Sequence, residues 1–100
     1  MNSNQKINQY QNMKNYLKAF KQNELNLNQL INLLDELIES LKLCDQEWKN
    51  EFRSEWWDLE QLNAISQYHN NPIIISDNIE EIFNIIRRMD VLLDYALAES

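Results

Sequence analysis

Hydrophobic residues recur at spacings of three and four through most of the chain, which is typical of amphipathic α-helices. Asn, Gln and charged residues fill the positions between them. Polar junctions interrupt the pattern in three places, so it predicts four helices, at about residues 5–21, 27–43, 46–69 and 78–97. Asn26 and Asp45 precede the second and third helices, and we expect them to act as N-caps.

The turn-forming residues support a helical fold. The chain contains no Gly and one Pro, whereas hairpins and tight turns depend on residues that accept positive φ. We expect Asn to take the left-handed positions at helix ends. Residues 72–75, Pro-Ile-Ile-Ile, look extended, but a single strand would lack a partner, so we expect a buried loop across the helix ends. These features predict an all-α fold: one domain over residues 1–100, an antiparallel bundle of four helices with short connections.

The third predicted helix combines an apolar face with a row of acids. Trp48, Phe52 and Trp56 share the apolar face, which we expect to join the core. Carboxylates at spacings of four and three form a stripe beside it: Glu47, Glu51, Glu55 and Asp58. Lys49 and Arg53 are close enough in sequence to offset part of this charge. The stripe is either a solvated surface or a surface that presents negative charge to a basic partner.

Trp57 is the residue of this helix whose environment is hardest to predict. It follows Trp56 and therefore points about 100° away from it, towards the far side of the helix and Tyr68. There it either packs against a second neighbour or is exposed as a binding anchor. We expect burial, because a central helix in a bundle has neighbours on two sides. With the acidic stripe, Trp57 completes the candidate partner-binding set.

The charge of the chain limits its partners. The net charge is −7 and the pI is about 4.5. An acidic surface disfavours nucleic acids and anionic membranes, and it favours a basic protein. Cys44 is the only cysteine, so no internal disulfide can form, and we expect a reducing, cytoplasmic location. The N-terminus lacks a signal-peptide pattern, and no run approaches the roughly 18 apolar residues that span a bilayer.

Catalytic and metal-binding motifs are missing from the sequence. His69 is the only histidine, and we expect an exposed loop residue, whereas Cys44 is expected to be a buried structural thiol. One Cys and one His are too few for a standard zinc site. The Glu-x-x-His pairs of two-metal bundles are absent, as are the glycines of phosphate-binding loops. We therefore expect neither enzymatic activity nor a cofactor or metal.

Two stretches resemble small helical immunity proteins of bacterial toxin systems, of the colicin and contact-dependent growth inhibition types. One is EWKNEFRSEWWDLEQLNAIS, which follows a Leu-rich helix; the other is YLKAFKQNELNLNQLINLLDELI, a helix, a short polar turn and a helix. Together they cover residues 16–66. The resemblance rests on pattern, size and acidity, so no binding residue is carried over from it.

The resemblance implies a cytoplasmic protein that binds the C-terminal toxin domain of a cognate bacterial toxin and blocks its active site. A ribonuclease or tRNase with a basic substrate cleft would suit the acidic stripe, and we expect a monomer in the toxin complex. A second class remains open: an acidic helical adaptor, a secretion chaperone or a phage-type inhibitor that binds a basic host protein. Gene neighbourhood would separate the two classes.

Overall fold

A computed structural model describes residues 3–41, 45–68 and 77–99 of the chain. All four predicted helices are present: α1 (Ser3–Lys21), α2 (Leu27–Ser40), α3 (Gln46–Tyr68) and α4 (Ile79–Glu99). The second helix ends earlier than predicted, because Leu41 takes an extended conformation (ψ 111°) while its side chain stays buried. The predictions for Cys44, for His69 and for a buried loop at residues 72–75 lie outside the described residues.

Asn and Asp residues form three of the described helix ends, as the Gly-free composition suggests. Asn23 has a φ of 64°, the left-handed geometry that terminates α1, and the Glu24 N–H returns to the Ala19 carbonyl at 2.8 Å. Asn26 forms a complete capping box with Gln29 at the start of α2.

Asp45 caps the next helix. Its carboxylate accepts the Glu47 N–H at 3.0 Å, and its carbonyl accepts the Lys49 N–H at 2.9 Å. The N-caps predicted for α2 and α3 are therefore confirmed.

Each helix packs against two others in a closed ring: α1 on α2, α2 on α3, α3 on α4, and α4 back on α1. Contacts along α4 show the antiparallel arrangement. Near the start of α4 the rings of Phe83 and Phe20 of α1 lie 6.0 Å apart. Further along α4, Asp90 and Asp94 pair with Lys14, which comes earlier in α1, so the two helices run in opposite directions. The fold is thus the predicted all-α antiparallel four-helix bundle.

The core runs along the axis of the bundle. Its most deeply buried side chains come from all four helices: Met13, Leu17, Leu30, Ile31, Leu34, Phe52, Leu59, Ile82, Ile86, Met89 and Leu93. Tyr10 and Trp48 meet across it, edge to face, with ring centroids 5.2 Å apart.

The apolar residues of α4 are not all buried. Ile79 and Phe83 are exposed at its rim, because Phe83 lies about 100° from the buried Ile82 on the helix. The buried polar residues Asn63 and Ser66 were not predicted. Asn63 donates a 3.0 Å hydrogen bond to the Asn28 side chain, which pairs α3 with α2.

A candidate protein-binding surface on helix α3

Two tryptophans fix the rotation of α3 between its neighbours. The indole N–H of Trp48 donates to the Leu92 carbonyl of α4 at 2.7 Å. The indole N–H of Trp56 donates to the Ile31 carbonyl of α2 at 2.9 Å. Because a buried indole N–H needs an acceptor, rotating α3 would break both bonds. The side of α3 that faces solvent is therefore well defined.

The basic residues of α3 are directed to α2. The Lys49 ammonium donates to the Leu41 carbonyl at 2.8 Å, and the Arg53 guanidinium pairs with Glu39 at 2.5 Å. The expectation that these two cations offset the acidic stripe is therefore wrong. The reason is geometric: both residues project to the α2 side of the helix, whereas the stripe lies towards α4.

Glu55 is the member of the predicted stripe that is neutralised. It is half-buried and pairs with Arg88 of α4 at 3.0 Å, and Arg88 also approaches Glu81 at 3.8 Å. The hydrogen bond that Arg88 donates to Glu55 raises the pKa of the Arg88 guanidinium above its ordinary value. Glu55 therefore contributes to the α3–α4 contact and is largely unavailable to a partner.

The other three members of the stripe are exposed, and we call Glu47, Glu51 and Asp58 the acidic edge. Within the described residues, no Lys or Arg forms an ion pair with any of them. Arg88 is the cation of α4 on this side, and its direct contacts go to Glu55 and Glu81. The charge of Asp58 also contributes to the raised pKa of Arg88, so Asp58 is partly compensated. The acidic edge thus presents three exposed carboxylates without direct ion pairs in the described residues along one side of α3.

Trp57 is 53% exposed, so the expected burial is wrong. Helices α2 and α4 cover the two flanks of α3. Trp57 projects between those flanks, away from the core. The indole ring of Trp57 lies beside that of Trp56, tilted by 39°, with the ring centroids 6.3 Å apart. Since Trp56 is turned towards α2, the structure separates Trp57 from the acidic edge on the α4 side.

Two exposed residues of α4 were not singled out from the sequence. Val91 and Tyr95 are each 61% exposed. The signal that could have found them is their four-residue spacing on the side of α4 that lies away from its hydrophobic face.

Neither a metal centre nor a membrane span is visible in the part of the chain that the structure describes. Among residues 3–41, 45–68 and 77–99, no three His, Cys, Asp or Glu side chains are grouped so that they could hold a metal ion. No helix within those ranges has the length and apolar character needed to cross a bilayer. Comparison with known proteins gives no match, whether with family models, curated proteins or solved structures.

Proposed function

We propose that this protein is an immunity protein: it binds the C-terminal nuclease domain of a cognate bacterial toxin and covers its basic cleft. The observation that carries the proposal is the acidic edge, three exposed carboxylates without ion-pair partners in the described residues. The resemblance of residues 16–66 to helical immunity proteins supports the same function. The proposal places the protein in the cytoplasm, as a monomer against one toxin domain.

The geometry of the acidic edge suits a cleft that binds phosphates. Glu47 and Asp58 are eleven residues apart, so the edge is about 16 Å long at 1.5 Å per residue. About five phosphates of one DNA strand occupy that length at 3.4 Å each. The carboxylates project from a helix held on both flanks, so few rotatable backbone segments need ordering when a partner binds. The net charge of −7 would also steer a basic domain towards the protein.

The proposal predicts that a gene beside this one encodes a toxin, and inhibition of that toxin's C-terminal domain tests it; a neighbouring gene of another kind would count against the immunity function. The purified protein should bind that domain and suppress its nuclease activity, and co-expression should restore growth. A variant with Glu47→Gln, Glu51→Gln and Asp58→Asn should inhibit at least about tenfold less well, since charged pairs at interfaces are worth more than 1.4 kcal/mol.

A matched control separates the acidic edge from net charge. Glu24, Glu36 and Glu80 are exposed elsewhere on the molecule, Glu80 at the opposite end of α4 from Tyr95, and replacing all three by Gln changes the net charge by the same amount. This control should inhibit as the wild type does. Failure of the wild-type protein to bind the toxin domain would reject the immunity function, whereas equal losses in the two variants would reject the acidic edge as its binding surface.

A further inference from the structure

A second exposed feature lies on α4, where Val91 and Tyr95 project into solvent. Their four-residue spacing puts both on one side of the helix. They do not belong to the core, because α4 buries Ile86, Met89 and Leu93 on another side. Two exposed apolar residues are common on protein surfaces, so their significance depends on what lies beside them.

The register of α3 against α4 is fixed by two contacts. Glu55 pairs with Arg88 near the middle of the interface. The Trp48 indole donates to the Leu92 carbonyl further along, towards the start of α3 and the end of α4. Since the residue numbers run in opposite directions between these contacts, the two helices are antiparallel here.

This register brings the exposed residues of α4 beside the acidic edge. From the Glu55–Arg88 pair, Glu51 and Glu47 follow at four and eight residues back along α3. Val91 and Tyr95 follow at three and seven residues forward along α4. Because these spacings keep residues on one side of a helix, a row of carboxylates and a row of apolar side chains run next to each other.

We propose that these residues form one docking face, the acidic edge with Val91 and Tyr95, and that it binds a basic protein surface carrying apolar side chains. Charge selects this occupant. A second copy of the chain would bring the same carboxylates against each other, and a nucleic acid or an anionic membrane would be repelled. The inference rests on the proposed function and adds to it the apolar anchors and the mixed character of the partner.

A synthetic peptide tests this docking face without knowledge of the natural partner. The probe is an amphipathic helical peptide with Lys and Arg on one side and Leu on the other; an oligoarginine of equal charge is its comparison. Titrated at low salt into the ¹⁵N-labelled full chain, the amphipathic peptide should shift backbone amides within residues 47–58 and 88–95. Shifts centred on any other surface, or no binding, would overturn the proposal.

Two variants separate apolar anchoring from charge attraction. The double variant Val91→Ala, Tyr95→Ala should bind the amphipathic peptide about tenfold more weakly, as loss of an aromatic anchor does. Its affinity for oligoarginine should be unchanged. Trp57→Ala, which removes another exposed ring, should leave both affinities within about twofold. The proposal is overturned if Trp57→Ala lowers the affinity for the amphipathic peptide as much as the double variant does. Melting curves check that each variant is folded.

The peptide and the toxin domain together separate the two proposals. If the peptide binds this face but the toxin domain does not, the immunity function is rejected and the docking face is retained.

Discussion

Trp56 and Trp57 are adjacent in the chain but lie in different environments. Trp56 packs against the core and donates its indole N–H to the Ile31 carbonyl, while Trp57 is about half exposed. One residue along a helix turns the side chain by about 100°, which is enough to move a ring from the core to the surface. At the scale of residues, position on the helix rather than hydrophobicity decides which tryptophan holds the fold.

Matched Trp→Phe substitutions test this difference. Trp56→Phe should lower the free energy of unfolding by about 1 kcal/mol, because the hydrogen bond to Ile31 is lost from a partly buried site. Trp57→Phe should change it by less than about 0.5 kcal/mol, as exposed substitutions do. Urea denaturation of the three proteins measures both values. Equal losses would mean that Trp57 contributes to the fold as much as its neighbour.

At the scale of elements, sequence periodicity was sufficient to place the helices, and the caps followed from Asn and Asp chemistry. It was not sufficient to predict which charges stay exposed. Arg53 is close in sequence to the acidic stripe, yet it forms its ion pair with Glu39 of α2. Glu55 of the stripe is instead paired with Arg88 of α4. Such pairing depends on the rotation and register of packed helices, which a single-helix projection does not contain. Val91 and Tyr95, by contrast, could have been found from the projection of α4 alone, because their spacing places both on the side away from its hydrophobic face.

The capping box of α2 gives a prediction for a single element. Asn26→Ala should destabilise the protein by about 1 kcal/mol, because the Gln29 N–H loses its side-chain acceptor. Asn32→Ala is the matched control: Asn32 is exposed within α2, where Ala is the better helix former, so stability should stay equal or rise slightly. Thermal unfolding of both variants measures the difference. A loss at Asn32 as large as that at Asn26 would contradict a capping role.

At the scale of the whole molecule, ion pairs help to close the ring of helices. Lys14 of α1 lies between Asp90 and Asp94 of α4, the two helices that begin and end the described chain. Its hydrogen bond to Asp94, supported by Asp90, raises the pKa of Lys14 above its ordinary value of 10.5. Lys49, Arg53 and Arg88 also make contacts between elements, while the excess of acids leaves the molecule with a net charge of −7.

The raised pKa of Lys14 predicts how stability depends on pH. The stabilisation is fully present below pH 10.5 and is lost as the pH rises through the higher pKa of the folded state. At pH 8 the variant Lys14→Met should be less stable than the wild type by up to about 1 kcal/mol, the range of partly exposed pairs. The difference should shrink above pH 10.5 as the wild type loses its charge. Lys18→Met changes an exposed residue of the same helix. Its difference in stability from the wild type should not shrink in this way as the pH rises.

If the acidic edge binds a basic partner, the affinity for the toxin domain should depend on salt through Glu47, Glu51 and Asp58. The dissociation constant for the neighbouring toxin domain is measured at about 50 and 300 mM salt, where screening differs strongly. The wild type and the Glu24, Glu36 and Glu80 control should lose affinity steeply with salt. The variant neutralised at Glu47, Glu51 and Asp58 should bind more weakly at low salt and respond less to added salt. If neutralising the acidic edge changes neither the affinity nor its salt dependence, the acidic edge is not the surface that binds the toxin domain.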